Sequence, residues 1–500
     1  MGSFETLIAC FLLLSSLRNS FAGHPNVVFI LADDLGWDDI SLHGSQEIPT
    51  PNIDLLATDG ILLNNYYVQP ICTPSRAALM TGRHPVHLGL QHDVIVWAQP
   101  YGLGLNETLL PQYLKTLGYS THMVGKWHLG FYDKEHTPTK RGFDSHLGYY
   151  TGCEDYYDHT WGFTKQDWGL DFWHDREVDR SAFGQYSTEV FTSEAERVIA
   201  EHDVSKPLFL YLAQQAVHSG NPGNKVRLQA PWKYVKNFMG IKSEERRVFA
   251  GMVSALDDSV SNVTKALHEK GILNDTIIIF STDNGGPANR QDYNDACNWP
   301  LRGSKRTMWE GGVRGNGFIW SPLLENSGYV SEHLMQIVDW VPTVLEAAGF
   351  DMSKLPPSLD GLSQWKALSR HESSPRKVLL HNIDPINGDG ALRTTDMKIV
   401  FGGGDTERYP GWYEPEEALI RSPSKRPSST ACKPWLKPCV FNITADPCEY
   451  YNIADFHPDI LQELLQKVDE FNQTAVPPRN VPSDPKGLPI NNNGVWGPWR

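Results

Sequence analysis

Beyond its first 22 residues this chain has no apolar run long enough for a membrane helix. It also has no low-complexity tract and no repeat period, so nothing points to a fibrous or solenoid architecture. Positive charge is in deficit. Lys and Arg number 44 against 59 Asp and Glu, and the net charge of -15 argues against a nucleic-acid binder. That deficit leaves an anionic ligand open, because a local cluster of cations can set the field inside a cleft whatever the overall sign. Cysteine is scarce, with seven in 500 residues.

What is present is globular: hydrophobic residues make up 40% and charged residues 21%. The length exceeds what one core organises, so a large domain with a smaller companion is expected. At the N-terminus LIACFLLLSSL, residues 7 to 17, is apolar but too short to span a bilayer, and Ser20, Phe21 and Ala22 offer small residues for cleavage. A signal peptide over 1–22 is therefore expected, although its first stretch carries Glu5 and no basic residue. Cys10 falls within it. If Cys72 is functional, Cys153, Cys297, Cys432, Cys439 and Cys448 remain, an odd number that leaves at least one unpaired within the chain. Glycosylation sequons at Asn106, Asn262, Asn274, Asn442 and Asn472 fit an exported glycoprotein.

Strands and helices alternate over the first two thirds, the pattern of a mostly parallel sheet flanked by helices. NVVFIL (26–31) runs straight into Asp33 and Asp34, and STHMVGKWHLG (120–130) into Lys126 and His128. PLFLYLAQQAVH (207–218) ends at His218, and TIIIFS is followed by Asp283 and Asn284. Ligands of open α/β sheets bind beyond the carboxyl ends of the strands, and here four strands deliver ionisable or amide groups to that edge. Three carboxylates and one amide, without an interleaved thiol or imidazole, suit a hard cation such as calcium or magnesium rather than zinc.

PICTPSRAALMTGR, 70 to 83, reads as the mouth of a short helix, with Thr73 as cap, Pro74 in the first turn and Gly82 at the end. Cys72 would sit where free N–H groups gather and Arg76 adds a cation, which attracts an anion and favours a thiolate. A buried structural cysteine is the alternative reading. NWPLRGSKRTMWEGGVRG, 298 to 315, is a cation- and glycine-rich loop whose composition fits a functional segment or a solvated surface loop equally. After about residue 370, KVLLHNI, LRTTDMKIVFGG and CVFNIT look like strands of an antiparallel sheet, with an amphipathic helix over 456–473. SPSKRPSSTACKPWLKP reads as an exposed loop without chemistry. The expected domains are 23–370 and 371–500.

The motif C-T-P-S-R followed by T-G-R, with G-K-W-H-L-G at 125–130, resembles the two signatures of the sulfatases of the alkaline-phosphatase superfamily. L-A-D-D-L-G-W-D-D, S-T-D-N-G-G and N-W-P-L-R-G-S-K fall in the family's order, so the resemblance covers essentially the whole chain after the leader. W-E-G-G-V-R-G, L-L-H-N-I-D-P and G-V-W-G-P-W resemble the arylsulfatase B branch, and F-N-I-T-A-D-P leans toward its I and J members. V-W-A-Q-P-Y-G-L-G, 96 to 104, lacks a cysteine usual in that branch, so its disulfides are not carried over.

The resemblance implies an alkaline-phosphatase-like α/β fold with a large mixed, mostly parallel sheet, plus a smaller C-terminal antiparallel sheet with a packed helix. It also implies that a formylglycine-generating enzyme oxidises Cys72 to 3-oxoalanine, whose hydrate is the nucleophile. One Ca2+ would be held by Asp33, Asp34, Asp283, Asn284 and the modified Cys72. Arg76, Lys126 and Lys305 would neutralise the sulfuryl group, Asp283 would activate the diol, His218 would serve the leaving alcohol and His128 would take the remaining diol proton. The implied substrate is a sulfated sugar, foremost the 4-sulfate of N-acetylgalactosamine in dermatan or chondroitin sulfate, with Trp299, Trp309 and His381 as wall residues. A lysosomal destination and an acidic optimum follow from the same likeness. Two other readings remain: a phosphate-ester hydrolase of the superfamily, which normally uses Ser or Thr with zinc-type sites, and an inactive calcium-binding glycoprotein.

Overall fold

The computed structural model describes residues 23–415 and 428–500. The expected signal peptide and part of the expected exposed loop lie outside the described residues. One sheet contains ten strands: β1 (Asn26–Ala32), β2 (Ile61–Leu63), β3 (Ser120–Lys126), β4 (Ser145–Tyr149), β5 (Trp173–His174), β6 (Glu177–Val178), β7 (Leu208–Ala213), β8 (Thr276–Thr282), β9 (Gly317–Trp320) and β10 (Tyr329–Ser331). Their spatial order is β10-β2-β9-β8-β1-β7-β3-β4-β5-β6. The five central strands, β8, β1, β7, β3 and β4, are mutually parallel, so all their carboxyl ends meet at one edge.

β1 is buried on both faces, as a continuous apolar run requires. Alternation along it divides the core. Val27, Phe29 and Leu31 pack into the layer holding α1 (Cys72–Thr81), whereas Val28 and Ile30 pack into the layer holding α2 (Ser187–Glu201) and α3 (Glu244–Lys270). α3 carries the expected helical stripe, including Phe249, Val253, Leu256, Val260 and Leu267. Ser243 caps its start through Arg246 N–H, and Gly271, at φ 78°, ends it in the left-handed conformation.

The second sheet is antiparallel throughout: β11 (Val378–Asp384), β12 (Asp389–Thr394), β13 (Met397–Phe401) and β14 (Cys439–Asn442). α4 (Pro458–Thr474) lays Leu464 and Val468 on Leu380, Leu392, Ile399 and Val440 of this sheet. The 298–315 segment is not a solvated loop. It is almost wholly buried, because Trp309 packs with Val400 and Phe441 and donates its indole N–H to Thr406 O at 3.0 Å. One disulfide joins Cys432 to Cys439, and Cys153, Cys297 and Cys448 are unpaired, as is Cys72. Four of the five sequon asparagines are exposed, and Asn442 is half-buried.

The two sheets are tied through a buried charge. Lys398 of β13 lies 2.9 Å from both Glu310, on the buried segment, and Glu449, with no solvent access to its side chain. Removing a cation from such a site strands two carboxylates, a change that typically costs about 3–5 kcal/mol. Lys398→Met is therefore expected to lower the melting temperature by several degrees in a thermal denaturation series, and an unchanged melting point would contradict this role.

Candidate active site

Asp33 and Asp34 leave β1, Asp283 and Asn284 leave β8, and Lys126 ends β3, so neighbouring parallel strands bring these side chains to one point. Asp33 accepts from Lys126 Nζ at 2.5 Å and lies 3.5 Å from Arg76. Arg76 donates to Asp283 Oδ2 from Nε at 3.1 Å and from Nη2 at 2.8 Å, and from Nη1 to Lys126 O at 3.2 Å. Lys305, at the end of a loop with no strand of its own, reaches Asp34 Oδ2 at 2.8 Å and Asp292 at 3.1 Å. Asp34 itself is left-handed at φ 61°, a strained backbone for a non-glycine residue. Every residue expected to act in catalysis or to hold the metal is in this group or borders it.

Cys72 opens α1, but the helix starts two residues earlier than expected. Ile71 is the N-cap and Cys72 the first helical residue, because Thr73 uses its hydroxyl elsewhere: it donates to His128 O at 3.0 Å and accepts from Ile95 N–H. Gly82 ends the helix at φ 66°, as expected. The expected thiolate is also corrected. Burial pushes the Cys72 thiol well up, more than Lys126 and Lys305 pull it down, so the encoded side chain is a neutral thiol 3.8 Å from Asp33 Oδ1. For the two lysines burial acts the other way, but Asp33 and Asp34 overcome it and keep both ammoniums charged.

The two histidines hold opposite states. His128, left-handed at φ 55°, approaches Ile95 O with Nε2 at 3.2 Å; donation there leaves Nδ1, buried and without a partner, as a lone-pair acceptor. Burial, then Lys126 and Arg76, lower its pKa well below 6.5, so it is neutral. His218 sets Nδ1 against Ser219 O at 2.7 Å, and Nε2 lies 3.4 Å from Asp34 and 3.3 Å from Lys305. Burial would lower its pKa, but Asp34 and Asp33 outweigh that and raise it to about 9. Complementary protonation is thus present, with His218 holding a proton and His128 without one.

Ligand atoms of Asp33, Asp34, Cys72 and His218 lie within 4.8 Å of one another, the one such grouping among the described residues. A protonated imidazole and a neutral thiol are poor ligands, which leaves oxygens. Asn284 donates from Nδ2 to Asp34 Oδ1 at 2.7 Å, while its Oδ1 is buried with no partner. An orphaned buried carbonyl beside buried carboxylates fits a hard divalent cation such as calcium.

The cleft above Cys72 has a volume of about 470 Å³. Trp97, Trp161 and Phe163 form an aromatic wall, with Trp97 and Trp161 ring centres 4.4 Å apart. Asp292, Arg227, Tyr293 and Arg306 line it as well, and Arg227 stacks 3.4 Å over the Tyr293 ring. None of these was read from the sequence, since no strand end or motif marks them; only Arg306, beside Lys305, carried a hint. The expected wall residues are elsewhere. Trp309 and His381 are fully buried, His381 against Tyr67 at a ring distance of 5.0 Å, and Trp299 does not line the cleft.

A family model described as Sulfatase matches residues 25–350. The chain is 44% identical to arylsulfatase J of Mus musculus, covering 95% of this chain and 80% of that one. It is 29% identical to the N-acetylgalactosamine-6-sulfatase of Mus musculus, over 93% and 90% of the two chains. A solved structure described as Ps i-CgsB in complex with k-i-k-neocarrahexaose superposes with a TM-score of 0.74 at 27% identity, covering 91% of this chain and 94% of that one.

Protonation of these histidines links the site to stability. His218 has a folded pKa near 9 against an ordinary 6.5, so its contribution is full below pH 6.5 and lost as pH rises through about 9. His128, neutral when folded, takes stability away as pH falls below 6.5. In chelator-treated protein, melting temperature should decline on both sides of about pH 6.5. His218→Gln should flatten the alkaline side alone. An alkaline decline of unchanged steepness in that variant would contradict the pairing with Asp34.

Proposed function

The chain belongs to the sulfatase family, and from that premise we propose that this sulfate-ester hydrolase removes the 4-sulfate of a terminal N-acetylgalactosamine through a formylglycine made from Cys72. The observation that carries the reading is the convergence of Arg76, Lys126 and Lys305, all buried, with oxygen donors around Cys72. The carboxylates Asp33, Asp34 and Asp283 and these cations cancel in formal charge, so a bound dication leaves the site positive and suited to an anion.

Asp33, Asp34, Asp283 and Asn284 would hold calcium, which supplies Lewis-acid stabilisation of charge on a sulfate oxygen. As formylglycine hydrate, made by a formylglycine-generating enzyme, residue 72 supplies one hydroxyl for attack on sulfur and a second to expel sulfate; a plain thiol or serine lacks the second. Asp283 has Oδ2 taken up by Arg76, leaving Oδ1, which faces Asp34 N–H at 3.4 Å, to receive the attacking proton. His218 Nε2, protonated and 3.3 Å from Lys305, gives its proton to the departing alcohol. His128 Nδ1 is the free acceptor for the remaining hydroxyl proton. Arg76, Lys126 and Lys305 bear on the sulfuryl oxygens, and loss of one such donor typically costs about 10²–10³ in kcat.

The Trp97, Trp161 and Phe163 wall supports a ring-bearing substrate, because flat apolar faces stack on aromatic side chains. The choice of the 4-position rests on the likeness of N-W-P-L-R-G-S-K and W-E-G-G-V-R-G to the arylsulfatase B branch, and the 6-sulfatase relative names the rival position. The leader at 7–17 and the exposed sequons support a secretory-pathway protein, with the lysosome as destination. Oligosaccharides ending in 4-sulfated or 6-sulfated N-acetylgalactosamine, offered side by side, test the position: sulfate release from the 4-sulfated end should be faster by at least about tenfold. Equal rates, or preference for the 6-sulfate, would overturn that assignment.

A further inference from the structure

Beside the cleft lies a smaller cavity of about 130 Å³. Ile71, Asp93 and Arg306 border both spaces. The far wall comes from the second sheet: Asn382 and Asp384 at the end of β11, Asp389 at the start of β12, and Asp405 beyond β13. Asp384 and Asp389 stand directly opposite each other in the β11–β12 ladder, where like charges are unfavourable unless something neutral or donating lies between them.

Three oxygens here have no partner. Gln91 Oε1, Asn382 Oδ1 and Asp389 Oδ1 are buried and unbonded, on residues only 2%, 4% and 2% exposed that line the cavity. Their residues' own donors are already used: Asn382 Nδ2 reaches Gln91 O at 2.9 Å and Gln91 Nε2 reaches Val476 O at 2.7 Å. What is left over is acceptors, and acceptors call for O–H or N–H donors. The carboxylates do not gather as metal ligands do, since among the described residues only the catalytic group brings its ligand atoms within 4.8 Å. The space is wider than one ion needs, and it meets the larger cleft at Ile71, Asp93 and Arg306.

The field in this cavity is negative. Four carboxylates face two cationic or titratable groups: Arg306, 3.0 Å from Asp93 and 4.0 Å from Asp405, and His92, 2.7 Å from Asp384. Burial, together with Asp384 and Asp405, pushes the Asp389 carboxyl up to about 7.

Resting on the sulfated-sugar reading above, we propose that this acidic cavity seats the sulfate-bearing ring, reads it through its hydroxyl donors, and excludes rings that carry a second negative charge. The sulfate then points past Ile71 to Cys72 while the aromatic wall takes the remainder of the substrate. A uronate or a second sulfate on the same ring would face Asp384, Asp389 and Asp405, while the cavity's His92 and Arg306 are already paired with carboxylates.

The test measures kcat/KM for N-acetylgalactosamine ends with one sulfate or with both 4- and 6-sulfates, and for a small aryl sulfate as reference. The native enzyme should favour the monosulfated end at least about tenfold. Asp389→Asn, with Asp405→Asn on the more exposed rim as a second variant, should narrow that preference and lower the sugar-to-aryl ratio. Equal use of mono- and disulfated ends by the native enzyme, or a preference unchanged in both variants, overturns the proposal. If the 6-monosulfate proves to be the better substrate, the position assigned above fails, and its comparison with the disulfate still decides this inference. Cleavage of the aryl sulfate with no sugar sulfate cleaved overturns both.

Discussion

Three carboxylates with no access to water stand at the ends of two adjacent parallel strands, and the rest of the molecule is arranged to neutralise them. An ionised carboxylate in such a place is untenable without paired charge and hydrogen bonds. Asp33 is answered by Lys126 from β3 and by Arg76 from α1, and Arg76 also serves Asp283. Asp34 is answered by Lys305, from a segment that the second sheet covers. Each counter-charge therefore fixes an element: α1 against the strand ends, and residues 298–315 beneath the second sheet. Breaking a pair would release an uncompensated charge and an element together.

The same balance sets the chemistry. Charges that cancel in pairs leave Cys72 in a dry, nearly neutral place, so the gene-encoded thiol stays protonated despite two ammoniums nearby. That removes the simplest nucleophile the site could have used, which is consistent with the proposed conversion of residue 72. The same surroundings divide the histidines: Asp34 lies beside His218 and holds its proton, while burial, with Lys126 and Arg76, denies one to His128. A donor and an acceptor thus face one cleft at neutral pH, which is what an ester exchange with two proton transfers needs.

Much of this was legible in the sequence where local rules govern. Uninterrupted apolar runs such as NVVFIL identified central parallel strands, and the polar residues after them marked the functional edge, because both follow from what a doubly covered sheet must bury. The stripe of α3 and the glycine at its end were read in the same way. What failed depended on tertiary contacts. The start of α1 shifted because Thr73 bonds to His128 rather than capping. The composition of residues 298–315 fitted a functional segment and a solvated loop equally, and it is the second sheet that buries them; with them Trp309, expected at the substrate wall, is buried as well. The aromatic wall and the acidic cavity join residues about sixty to three hundred positions apart, as Trp97 to Trp161 and Gln91 to Asp389 do, with no motif to announce them.

The central claim is that Cys72 is a precursor and not the working group. Mass spectrometry of the peptide containing residue 72, from protein made in a secretory host and active on a sulfate ester, tests it directly. The account predicts a peptide lighter than the encoded one, in which cysteine has become an aldehyde that reacts with a hydrazide reagent. Recovery of only the unmodified thiol from fully active protein would contradict it.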